Sequence, residues 1–242
     1  MVQVQHSGSE PGSDPSFYID RGDSLLDLAR SYDQDLGMPR PARICVPGIP
    51  LHIVQRGNDR QNCFRQRGDY LRYLGCLARS AEQYDAQVHA FVLMTNHVHL
   101  LVTPSHNYSA SRMMQNLGRS YVLAFNRIHE RTGTLWEGRF RSFPVTTENY
   151  LFACYRYIEL NPVRAGITKS PDEYPWSSYR TNALGAPNAV VQPREEWTDL
   201  GHTAKERCER YRQLFNTVLD ECVIAEIRAS IKSGSEPGSD PG

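Results

Sequence analysis

The chain has 242 residues with 27 basic and 27 acidic side chains, 40% hydrophobic content and 10% aromatics. This composition suits a globular protein that buries a core, and it excludes a collagen-like or wholly disordered chain. No stretch reaches the roughly 18 uninterrupted apolar residues of a membrane span, and the N-terminus lacks a secretory signal, so a cytoplasmic protein without a membrane partner is expected. Six cysteines with no Cys-x-x-Cys pair exclude a zinc knuckle or a dithiol redox motif and predict reduced, mostly buried thiols.

The zero net charge averages unlike parts. Residues 38–170 hold 17 Lys and Arg against 8 Asp and Glu, a net +9, whereas residues 1–37 carry −5 and residues 171–242 carry −4. All of the central basic residues except Lys169 are arginine, whose planar fork suits phosphate and guanine contacts. A nucleic-acid surface is therefore expected in the centre, the alternative being a mixed-charge surface without a patch.

In chain order, residues 7–15 read Ser-Gly-Ser-Glu-Pro-Gly-Ser-Asp-Pro and recur unchanged as residues 233–241. Such composition cannot bury apolar surface and predicts disordered tails. Residues 1–37 read as a disordered or weakly structured acidic extension, with Leu25, Leu28, Ala29 and Tyr32 spaced for a short helix over 17–36. The sequence suggests that both tails are translated flanking DNA and that Met38 is the ancestral start. A main domain is expected over 38–180, its folded part beginning near Arg43.

Leu51–Arg56 reads as a strand, followed by the turn Gly57-Asn58-Asp59-Arg60, and residues 69–84 as a helix with Leu71, Leu74, Ala78 and Ala81 on one face. Strands over 87–94 and 97–103 flank Thr95-Asn96 and predict a tight hairpin. Ser109 or Ser111 caps a long helix through Arg131, with Met113, Leu117, Tyr121, Ala124 and Ile128 as its stripe. A short strand over 142–145 precedes a helix capped by Thr146 or Thr147, running through Leu160 and ended by Pro162. The order β-α-β-β-α-β-α predicts an α+β fold, a ferredoxin-like antiparallel sheet covered by helices. Beyond it, Trp197, Tyr211, Leu214, Phe215, Leu219, Val223 and Ile227 suggest a small helical C-terminal extension over 181–232, and 233–242 forms the second tail.

His97 and His99, one residue apart on a strand, point to the same face and can hold one metal ion between them. On the last predicted helix, Leu151, Cys154, Tyr155 and Ile158 form the core stripe, so Tyr155 is a core residue. Tyr157 and Asn161 fall one turn apart on the neighbouring face. If that face meets the histidine strand, Asn161 can add an oxygen ligand and Tyr157 can aim its hydroxyl at whatever the metal polarises. The mixed nitrogen and oxygen set suits Mg²⁺ or Mn²⁺ better than a closed zinc site. A tyrosine with a free pKa near 10 attacks a phosphodiester only with help from a cation and a tethered geometry.

Five motifs in one order resemble the single-tyrosine HUH transposases, particularly the REP-associated tyrosine transposases and their insertion-sequence relatives. They are Gln55-Arg56-Gly57-Asn58, Leu93-Met94-Thr95-Asn96-His97-Val98-His99, Leu135-Trp136-Glu137-Gly138-Arg139-Phe140, Tyr157-Ile158-Glu159-Leu160-Asn161-Pro162-Val163-Arg164-Ala165-Gly166 and Tyr174-Pro175-Trp176-Ser177-Ser178-Tyr179. The resemblance spans about residues 38–179 and implies the HUH endonuclease fold and a transposase. His97, His99 and Asn161 would then bind the divalent metal, and Tyr157 would cleave single-stranded DNA beside a hairpin, leaving a 5′-phosphotyrosine and a free 3′ hydroxyl. Relatives place Gln at the third ligand position, where Asn161 is one methylene shorter.

Further residues are candidates for the DNA surface: Arg56, Asn58 and Arg60 in the first loop, Trp136, Arg139 and Arg141 in an aromatic and basic run, Arg112, Arg119 and Arg127 on one flank of the long helix, and Arg164 beyond the last helix. His52 reads as structural. The rival readings are a catalytically silent, domesticated protein that binds structured DNA and a metal-dependent phosphodiesterase that uses water. Monomer and homodimer both remain open.

Overall fold

A computed structural model describes residues 45–233 of the chain. The expected helix over 17–36, the first repeat copy and the second copy beyond Ser233 lie outside these residues.

The sheet contains β1 (Leu51–Arg56), β2 (Ala86–Met94), β3 (His97–Pro104) and β4 (Arg141–Pro144), all antiparallel, in the order β2-β3-β1-β4. Helix α1 (Arg67–Gln83) follows β1 and α2 (Ser109–Ile128) follows β3, giving the expected α+β alternation. Both helices pack on the face carrying Val98, Leu100 and Val102 of β3. Period-two alternation sends His97, His99 and Leu101 to the opposite face. The α2 stripe is Met113, Met114, Leu117, Tyr121 and Phe125, and Phe125 fills its last buried position. The helix stops at Ile128, which is 40% exposed, and Glu130 turns the chain with a φ of 49°, so neither the stripe nor the helix extends as far as expected.

Helix α3 (Glu148–Glu159) crosses the histidine face. The Thr147 hydroxyl caps it, accepting the Tyr150 N–H at 3.3 Å, and all four expected stripe residues, Leu151, Cys154, Tyr155 and Ile158, are buried. Pro162 does more than stop this helix. It lies in the first turn of a second short one, α4 (Asn161–Arg164), where its missing N–H costs nothing.

Four more helices complete this layer: α5 (Tyr179–Leu184), α6 (Glu195–Thr198), α7 (Ala204–Gln213) and α8 (Glu221–Ser233). Trp197, Tyr211, Leu219, Ile224 and Ile227 share one core with the α3 stripe, so the packing is continuous across residue 180. The chain also lies along the outer margin of β2. Leu93 N donates to Trp176 O and Ser178 N to Phe91 O, both at 2.9 Å, and Gln192 N donates to Val88 O at 2.8 Å, satisfying backbone groups that an edge strand leaves bare. All six cysteines are free, and no described helix is long and apolar enough to cross a membrane.

Candidate active site

The antiparallel register places Arg56 opposite His97 and Val54 opposite His99, so His52, two residues from Val54, lies diagonally across from His99 on the same face. His52 Nε2 and His99 Nδ1 are 2.9 Å apart, and the rings stack with centroids 5.1 Å apart. The His97 and His99 rings meet edge to face at 5.1 Å. Across from them, the Tyr157 ring presents its edge to His52 at 5.9 Å and to His99 at 5.8 Å. The face carrying Tyr157 therefore meets the histidine strand.

The Asn161 side chain, one turn further on, comes close enough to His97 to favour its protonated form. Helix α4 then turns Arg164 back: its guanidinium sits 3.9 Å from the Tyr157 ring centroid and donates to the Tyr157 carbonyl at 2.8 Å. A cation this close to a phenol ring is electrostatically favourable and fixes the ring. The structure thus brings His97, His99, Tyr157, Asn161 and Arg164 together and adds His52.

Burial holds all three imidazoles neutral near pH 7. It pushes His52 down to about 3, with the Arg164 charge adding to the effect, and His97 down to about 4, where Arg56 adds to it and Asn161 opposes it. His99 is lowered well below the ordinary histidine range by burial, then by His52, His97 and the two arginines. Neutral imidazoles retain a lone pair, the form that binds a metal. Among the described residues no group of three or more His, Cys, Asp or Glu side chains is placed to hold a metal. His97, His99 and the Asn161 amide oxygen nevertheless form a donor set that fits a hard divalent cation completing its shell with water or phosphate oxygen.

The remaining candidates separate into groups. Arg56, Arg139 and Arg141 line one open groove with Val54, Gln55, Glu137 and Ile231, beside the histidine strand. Arg141 also donates to the Ile231 carbonyl of α8 at 2.8 Å. Asn58 and Arg60 are exposed in a short turn after β1 in which Asp59 and Arg60 have φ of 49° and 57°. The turn folds so tightly that a Cβ at Gly57 would lie 2.3 Å from the Gln61 carbonyl oxygen. Arg119 and Arg127 are exposed on α2, and the exposed Arg112 lies 4.5 Å over the Tyr108 ring.

Trp136 stands apart, only 8% exposed, packed edge to face with Tyr73 at 6.2 Å and tilted against Tyr121 at 6.1 Å. A ring so enclosed offers no open face for a base. Trp136→Ala is expected to cost on the order of 3–5 kcal/mol in urea denaturation, with less effect on hairpin affinity than Arg139→Ala. An unchanged denaturation midpoint would count against the core assignment.

Glu159, to which the sequence assigned no role beyond its place in the motif, is completely buried two residues past Tyr157. Its Oε1 accepts from Ser178 Oγ at 2.5 Å and Asn182 Nδ2 at 2.9 Å, and its Oε2 from the Tyr211 hydroxyl at 2.8 Å. These bonds pin the end of α3 to α5 and α7. The donors lie 19 to 52 residues downstream, so only the Ser-Ser-Tyr run could have hinted at them.

Residues 45–161 match the family described as "Transposase IS200 like". No curated protein matches the chain. Among solved structures, a REP-associated tyrosine transposase bound to a REP hairpin superposes with a TM-score of 0.53 at 17% identity, covering 65% of this chain and 93% of that one. A second, from Deinococcus radiodurans and provisionally described as a transposase, has 22% identity and a TM-score of 0.34, covering 49% of this chain and 94% of that one. The first likeness agrees with the α+β fold, and the family match runs from Cys45, six residues before β1, to Asn161, taking in both histidines and Tyr157. Residues 45–161, just under half of the chain, thus carry the match to the IS200-like transposase family.

Proposed function

We propose that the protein cleaves and rejoins single-stranded DNA beside a folded, REP-like hairpin, with Tyr157 as the nucleophile. The observation that carries this reading is the convergence of Tyr157 and Asn161 on the His97 and His99 strand, beside a groove with three arginines. The Tyr157 oxygen would attack the phosphorus and form a new P–O bond as the bond to the 3′ oxygen breaks. That oxygen departs as a hydroxyl, its proton balanced by the one the phenol loses. The product is a 5′-phosphotyrosine and a free 3′ end, so the bond can later be remade by another 3′ hydroxyl.

His97, His99 and Asn161 would hold Mg²⁺ or Mn²⁺, which when bound supplies positive charge against the developing charge on the phosphate. Arg164 fixes the Tyr157 ring, while Arg56, Arg139 and Arg141 would track the strand as phosphate contacts. The REP hairpin bound in the similar structure supports the choice of substrate.

The test uses a hairpin oligonucleotide with a single-stranded flank, labelled at its 3′ end, incubated with the protein and Mn²⁺. A labelled protein–DNA adduct that survives denaturation is the expected result. Cleavage into free fragments without an adduct would favour attack by water, and binding without cleavage would favour a silent DNA-binding protein; either overturns the proposal.

A further inference from the structure

We propose that His52 and Asn96 are positioning residues that fix the proton on Nδ1 of His99 and His97, leaving Nε2 of each ring as the atom that meets a cation. This inference rests on the metal site proposed above. Asn96 Nδ2 donates to the Arg60 carbonyl at 3.3 Å, and a carbonyl can only accept. The amide is thereby oriented with Oδ1 toward His97, whose Nδ1 lies 2.7 Å away. Because that oxygen is an acceptor, His97 Nδ1 must carry the proton. Its Nε2 is then the basic nitrogen, left for a cation.

At His99, Nδ1 is occupied by His52 Nε2, so Nε2 is the nitrogen left for metal. A neutral imidazole has one N–H. For His99 Nε2 to offer a lone pair, His99 Nδ1 must donate and His52 Nε2 must accept. The reverse arrangement would put a proton on the metal-facing nitrogen. His52 therefore sets whether His99 is ready for a cation.

The Asn96 link has a second end. Arg60 belongs to the exposed turn after β1, which is tied to the hairpin by Gly57 N donating to Asn96 O at 2.8 Å. Movement of that turn would pass through one amide to the His97 ring.

Two measurements test the proposal on the full chain. Long-range ¹H–¹⁵N spectra of metal-free, histidine-labelled protein should show His97 and His99 as Nδ1–H tautomers; an Nε2–H tautomer at either overturns the proposal for that residue. Mn²⁺ titration by calorimetry without DNA should show about 10- to 100-fold weaker binding for His52→Leu and Asn96→Ala. His52→Gln and Asn96→Asp, which retain an acceptor, should bind within a fewfold of the parent chain. Hairpin binding in chelator should be the same in all four.

If His52→Leu does not fold, Asn96→Ala decides for Asn96, whose half-buried side chain is not part of the core, and His52→Gln with the tautomer spectra decides for His52. Parent-like Mn²⁺ affinity in Asn96→Ala and His52→Leu, combined with loss of binding in His97→Ala and His99→Ala, overturns this inference alone. Failure of the parent chain to take up Mn²⁺ overturns the metal site itself and the inference with it.

Discussion

Tyr157→Phe is expected to remove the denaturation-resistant DNA adduct, lowering its yield by at least about a thousandfold, while the protein still folds and binds the hairpin. Only the hydroxyl is deleted. The ring keeps its place beneath the Arg164 guanidinium and its edge contacts with His52 and His99, and the Arg164 bond goes to a backbone carbonyl that the substitution does not touch. The stability change should therefore stay within about 1 kcal/mol. The position of the label matters: a 3′-labelled strand stays on the protein, whereas a 5′-labelled one yields a shorter free fragment whose 3′ hydroxyl a polymerase can extend. An adduct that persists in Tyr157→Phe would remove Tyr157 from the nucleophile role.

The second large effect concerns stability. Glu159→Ala leaves Ser178, Asn182 and Tyr211 without their shared acceptor and opens a cavity at the end of α3, a loss expected to be on the order of 3–5 kcal/mol. Glu159→Gln should behave differently because it is neutral and nearly isosteric. Burial raises the Glu159 carboxyl to about 7 while its three donors pull it back, from an ordinary value of 4.5. Since the folded-state value lies above the unfolded one, the neutral carboxyl's contribution is full below about pH 4.5 and is lost as the pH climbs through 7. The loss amounts to about 3 kcal/mol at 1.36 kcal/mol per unit.

The buried histidines act in the opposite direction. His52, His89 and His97 are held below the ordinary value of 6.5, so their contribution is full above that value and is lost as the pH falls toward 4 and 3. Comparing the parent chain with Glu159→Gln cancels these terms. Between pH 5.5 and 8 the parent's melting temperature should fall relative to that of Glu159→Gln; parallel profiles would contradict the raised carboxyl.

The sequence made legible those features that depend on local periodicity. The alternation of β3 put His97 and His99 on one face, and the helical phase of residues 151–161 put Tyr157 and Asn161 beside the stripe. Features set by register or by a change of direction were hidden. His52 reads as structural until the β1–β3 register brings it diagonally to His99, and Arg164 joins Tyr157 only because Pro162 opens a new helical turn. Glu159 reads like any solvated helix charge because its partners come from distant helices. Trp136 matched a DNA-stacking pattern in composition, yet apolar burial placed it among Tyr73 and Tyr121.

The strip of chain along the outer margin of β2 separates two ideas of what a module is. The region shared with the transposase family closes at Asn161, but Trp176, Ser178 and Gln192 supply the backbone partners of β2, and Tyr211, Ile224 and Ile227 cover the sheet's second apolar side. A chain cut at the family boundary would carry the proposed chemistry on a sheet with a sticky rim and a wet greasy flank. Here the segment matched to the family is smaller than the unit that packs together.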